Sequence, residues 1–171
     1  MSDATESHLE RAASIADRLQ DEDQTWASAR YMPEEHPWFG AMLTQLVLAV
    51  GDSDILYMTS SFRTSPKVGV DAYIFTANLL ILMTGDGTSF NDIVAKVRVV
   101  GWNVVREIVI DGGNNVFAKN DRARTWPGRI RATATLDSGE VVKLPLGIPT
   151  AQHAGLLAEF LPALFARMQN G

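Results

Sequence analysis

Near the start of the chain, apolar residues recur at helical spacing: Leu9, Ala12, Ala13, Ile15, Ala16 and Leu19 follow Asp3 and Glu6, which are placed as a capping box. The stripe is thin, so a helix here must lie against another element to persist. The acidic run Asp21-Glu22-Asp23 ends this helix or lies on its solvated side. Pro33-Glu34-Glu35-His36-Pro37, with its two prolines, is a breaker and divides a leader, residues 1–37, from a body, residues 38–171. In the body the pattern changes to short β-rich runs separated by turn residues. Residues 43–50 are expected as a first strand, although Trp38, Met42, Leu46 and Val50 also suit one face of a helix.

After a turn at Gly51-Asp52-Ser53-Asp54, residues 55–63 alternate as a strand, with Ile55, Tyr57, Thr59 and Ser61 on one face and Leu56, Met58, Ser60 and Phe62 on the other. Residues 64–69 are expected as a loop. The clearest hairpin joins Ala72-Tyr73-Ile74-Phe75-Thr76 to Leu79-Leu80-Ile81-Leu82-Met83-Thr84 through Ala77-Asn78. Gly85-Asp86-Gly87 is expected as a break. Residues 93–110 are expected as one long β segment bent near Gly101, ended by the turn signal Asp111-Gly112-Gly113-Asn114-Asn115. Trp126-Pro127-Gly128 is a further break. A second hairpin, residues 129–146, turns at Asp137-Ser138-Gly139. The chain closes with a helix opened by Pro149 and Thr150, whose broad apolar face of Leu156, Leu157, Phe160, Leu161, Leu164, Phe165 and Met168 must be buried. Pro162 falls inside that helix.

The order of elements predicts a mainly β, α+β fold: six to seven antiparallel strands forming a barrel or curled sheet capped by a C-terminal helix, with an extra N-terminal helix. In this order, and in the run Ala72-Tyr73-Ile74-Phe75-Thr76-Ala77-Asn78-Leu79-Leu80-Ile81-Leu82, the chain resembles the pleckstrin-homology-like superfamily, including its bacterial and GRAM-type members. The resemblance covers roughly residues 43–169 and is one of pattern. It implies a binding module rather than an enzyme. Lipid-binding members carry basic residues around the loop joining the first two strands. With residues 43–50 as a strand, that loop is the acidic Gly51-Asp52-Ser53-Asp54, which argues against phosphoinositide binding.

Composition adds exclusions. The 171 residues are 46% apolar and 20% charged and include no cysteine, so disulfides and thiolate chemistry are absent. The opening residues are polar and acidic, unlike a signal peptide, and no apolar run reaches the ~20 residues of a membrane helix. A soluble cytoplasmic protein is expected. The net charge of −5 is uneven: residues 1–36 hold nine acidic and three basic residues, and the body is near neutral.

Candidate chemistry is sparse. His8, His36 and His153 stand too far apart for a metal pair and read as surface or capping residues. No nucleophile elbow occurs, and Asp52 with Asp54 and Asp86 with Asp92 read better as turn chemistry than as cation sites. No catalytic, metal or cofactor-binding residue is therefore expected, nor any cofactor. One stretch, residues 117–131, sets Lys119, Arg122, Arg124, Arg129 and Arg131 against the single acid Asp121, interleaved with Phe117 and Trp126. Lys119, Arg122, Arg124, Trp126, Arg129 and Arg131 are thus candidate ligand-binding residues for phosphates, bases or an acidic protein segment. The plainer alternative is a solvated edge loop that neutralises the acidic leader. The first functional reading is a non-enzymatic interaction module whose partner is a protein or a second copy of itself. Nucleic-acid or anionic-ligand binding through residues 117–131 comes second, and a small enzyme of unknown reaction third.

Overall fold

A computed structural model describes residues 3–32, 34–64, 67–114, 127–148 and 150–169, with side chains from Glu6 onward. The chain divides into two compact units, residues 1–100 and 101–171.

The first unit opens with three helices: α1 (Asp3–Glu22), α2 (Trp26–Tyr31) and α3 (Pro37–Val50). The acidic run does end α1. Ile15, Ala16 and Leu19 are buried while Leu9 is exposed, so only the second half of the stripe is covered. Asp3, half of the expected capping box, lies outside the residues whose side chains are described. Residues 43–50 are not a strand but the second half of α3. Pro37 occupies its first turn, where a missing N–H costs nothing. Trp38, Phe39, Met42, Leu46, Val47 and Val50 then form its buried face. The helix ends at Gly51, whose φ of 56° lies in the left-handed region that favours glycine.

Four strands follow: β1 (Ile55–Arg63), β2 (Val68–Thr76), β3 (Leu79–Gly87) and β4 (Val94–Gly101), in the order β1-β2-β3-β4. The predicted hairpin is β2–β3, in register Phe75↔Leu80 and Tyr73↔Leu82. The Thr76 hydroxyl fastens its turn by accepting from the Leu79 and Asn78 amides at 3.2 and 3.4 Å. Met58, Val70, Ala72, Ile74, Ile81 and Met83 join the buried faces of the helices in one core. At its centre Trp26 packs edge-on against Phe62 at 4.4 Å and donates its indole N–H to Ser60 Oγ at 2.9 Å. The opposite face of the sheet buries Tyr57, Thr59, Phe75, Leu80 and Leu82.

Gly85-Asp86-Gly87 is not a break. β3 runs through it, because Gly85 is needed for close packing rather than for turning: a Cβ there would meet Ile93 and Val70 side-chain atoms at 2.9 Å. Nor are residues 93–110 one β segment. A 3-10 turn at Trp102–Val104 separates β4 from β5 (Val105–Gly112), and the two strands belong to different sheets.

In the second unit β5, β6 (Ile130–Leu136) and β7 (Val141–Leu144) form an antiparallel sheet in that order, followed by α4 (Ala151–Gln169). Ile130, Ala132, Ala134 and Leu136 supply the buried face of β6, and the small alanines let α4 approach it closely. Ala154, Leu157, Phe160, Leu161 and Leu164 are the buried face of α4. Phe160 meets Trp102 with ring centroids 5.8 Å apart, and Arg167 lies over the Trp102 ring at 5.6 Å. The Thr150 hydroxyl caps α4 by accepting from the His153 amide at 3.2 Å. Among the described residues, seven antiparallel strands, a terminal helix and three N-terminal helices, where one was expected, make an α+β chain. Both sheets are open. Among the described residues no helix is long and apolar enough to cross a membrane.

Candidate functional site

Of the six candidate ligand-binding residues, Lys119, Arg122, Arg124 and Trp126 lie outside the described residues, as does Phe117. Arg129 and Arg131 are described. Arg131 alternates with the buried Ile130 and Ala132 along β6, and Arg129 immediately precedes the strand, so both face away from α4. With Asp111, Gly112 and Ile148 they line a groove of about 260 Å3. Both arginines are exposed, and neither side chain makes an ion pair or hydrogen bond among the described residues. The same outer face carries Val109 and Thr133, paired across β5 and β6, and Thr133 is paired in turn with Lys143 on β7.

A second groove, of about 560 Å3, lies in the first unit between Thr64, Lys67, Val68, Asp86, Gly87, Thr88 and Asp92. Because residues 43–50 are helical, the loop joining the first two strands is 64–67, not the acidic turn 51–54. The charge argument against a phosphoinositide, drawn from the turn 51–54, thereby loses its premise; the groove beside this connection is lined by Lys67 together with Asp86 and Asp92. Both carboxylates are engaged. Asp86 accepts from Arg63 at 2.9 Å, and Arg63 also bonds Asp71 at 2.6 Å; the Asp71 hydrogen bond, foremost, raises the guanidinium pKa. Asp92 accepts from the Thr88 hydroxyl and from the Ser89 amide at 2.7 Å, which lower its pKa, the Thr88 bond first. The expected turn chemistry holds for Asp92, whereas Asp86 is a strand residue tied across the sheet.

No sequence signal announced the third feature. Glu22 closes α1 with the Thr59 hydroxyl as its hydrogen-bond partner, and the buried Tyr57 stands close enough for the Glu22 charge to act on it. Burial raises the Glu22 carboxyl from 4.5 to about 7, against the Thr59 hydrogen bond and with help from the charge of Asp21. Tyr57 is raised as well, by burial first and by Glu22 second. Between these limits for Glu22 the unfolded chain has released the proton that the folded chain keeps, so stability falls as pH rises through that window. Glu22→Gln retains a partner for Thr59 and removes the charge. It is expected to stabilise the protein by about 1–2 kcal/mol near pH ~8, after allowance for partial solvent screening, and to change little below pH ~5. Urea unfolding at both pH values measures this; an equal effect at the two would contradict it.

Comparison with known proteins gave no match, whether to family models, curated proteins or solved structures.

The histidines divide. His36 is a capping rather than a surface residue: it holds the N-cap position of α3 without a side-chain cap bond, is 4% exposed, and its ring stands edge-on to Phe90 at 4.5 Å, beside Trp38. Two prolines and an apolar run around it were the available hint of burial. Trp38 fixes the same corner by donating its indole N–H to the Phe90 carbonyl at 2.8 Å. Among the described residues no three His, Asp or Glu side chains gather as a metal-binding set.

Proposed function

We propose that this chain is a non-enzymatic interaction module that docks a protein partner, a second copy of itself included, along the free edge of β5. Kinship with the pleckstrin-homology-like superfamily belongs to the same proposal and draws support from the order of elements: four antiparallel strands, three more, then one helix. The observation that carries the docking reading is β5 itself. It is eight residues long, pairs among the described residues only with β6, and leaves Val109 and Ile110 45% and 47% exposed on its two faces. Such an edge offers a row of backbone donors and acceptors to an incoming strand. Soluble proteins commonly blunt long edges with charge, and β5 does so only at its ends, through Arg106, Glu107 and Asp111. The centre, Ile108-Val109-Ile110, is apolar.

Light scattering over a concentration series tests the self-docking form. A mass rising from monomer towards dimer is expected below ~1 mM, together with at least about a tenfold weakening of association in Ile110→Lys. A mass that stays monomeric throughout rejects a second copy as the partner. The anionic-ligand reading has a separate observation in its favour, the two arginines on the 260 Å3 groove.

A further inference from the structure

The groove beside Arg129 and Arg131 follows from the register of β5 on β6. Arg131 is paired with Asp111. Arg129 stands opposite Gly113, whose amide donates to the Arg129 carbonyl at 3.3 Å and whose φ is 102°. Side chains occupy one face of a strand at every second position. β5 ends at Gly112, where φ is 86° and a Cβ would clash with the Arg129 carbonyl oxygen, so the strand end beside Arg129 carries no side chain. That bare place is where the groove opens, with Ile148, 81% exposed, as an apolar wall.

Charge selects the occupant. Among the described lining residues, two guanidiniums and one carboxylate leave a single net positive charge, which one carboxylate neutralises. A polyanion would crowd several charges against Asp111 and against a chain whose net charge is −5. Arginine's planar fork suits a carboxylate in the two-bond geometry. The groove also adjoins the last residues of the open β5 edge, where the backbone of an added strand would lie. We infer that the groove binds one acidic side chain of an extended peptide laid along β5, clamped by Arg129 and Arg131 with Ile148 against the neighbouring aliphatic atoms. The inference rests on the docking reading for the position of the peptide backbone and adds the residue class that is read.

The test is a titration of the full chain, followed by backbone amide and arginine Nε–H NMR signals. The probes are an acetylated, amidated peptide of about eight alternating valines and threonines with one central glutamate, its glutamine twin, inorganic phosphate, and a short single-stranded oligothymidylate. The glutamate peptide is expected to shift signals of residues 105–112 together with those of Arg129 and Arg131. It should bind roughly tenfold more tightly than the glutamine twin, and Arg129→Gln or Arg131→Gln should erase that preference. Equal affinity for the two peptides, with β5 shifting, overturns the clamp and leaves docking on β5 intact. Shifts at the arginines without β5 keep the clamp and remove the docking reading. Tighter binding of phosphate or oligothymidylate than of the glutamate peptide overturns the acidic-peptide assignment in favour of a phosphate ligand. No shift at either arginine with the glutamate peptide overturns the inference outright.

Discussion

Replacing Trp26 by alanine is expected to destabilise the first unit by about 3–5 kcal/mol, the range for removing a large aromatic side chain from a packed core. Trp26 is fully buried, on a helix of only six residues that could not persist alone. Its ring touches Trp38, Phe39 and Phe62, thereby joining α2, α3 and β1, and its N–H satisfies Ser60. The alanine variant loses those contacts and also leaves the buried Ser60 hydroxyl without its donor. Trp26→Phe keeps most of the volume and should cost markedly less. Urea unfolding, followed by exchange protection at the amides of Ile74 and Ile81, provides the measurement. A loss below about 1 kcal/mol would mean that the aromatic cluster does not hold the helices on the sheet.

For the second unit the corresponding position is Phe160, 4% exposed on the buried face of α4 and in ring contact with Trp102. Phe160→Ala should cost about 3–5 kcal/mol, whereas the same change at the partly exposed Phe165 should cost about 1 kcal/mol or less. The contrast is the informative quantity, because both residues lie on the apolar face drawn from spacing alone and only one is fully covered. Exchange protection at the amides of Ala132 and Ala134, on the strand beneath α4, reports it. Equal losses at the two positions would show that α4 is held by its backbone placement rather than by this face.

Local pattern carried much of the fold. The β2–β3 hairpin was readable because aromatic and β-branched residues flank a very short turn, and α4 because its apolar stripe is wide and follows a capping threonine. The misread elements share a physical cause. Residues 43–50 are almost continuously apolar, so no periodicity separates strand from helix within them; the deciding feature was Pro37, placed to start a helix. α2 was missed since six residues give less than two turns of pattern. Gly85-Asp86-Gly87 looked like a turn because glycine signals bending and close approach in the same letter, and here the approach of Ile93 and Val70 decides.

The candidate site was legible only as a list of charges. Arg129 and Arg131 stood out by composition, but the bare strand end beside Arg129 depends on strand register, which pairs Gly112 with Ile130 although the two are distant in sequence. The Glu22–Thr59–Tyr57 group was invisible for the same reason: 35 residues separate Glu22 from Tyr57, and Asp21-Glu22-Asp23 read as an ordinary solvated run.

The 3-10 turn at Trp102–Val104 has a consequence for how the chain comes into being. Every partner of the four-stranded sheet is encoded before it, and every partner of the three-stranded sheet after it. A polypeptide growing from its amino end therefore holds the whole of its first ladder of strands before β5 has been translated. None of that ladder waits, unpaired and prone to sticking, for a segment still to be made.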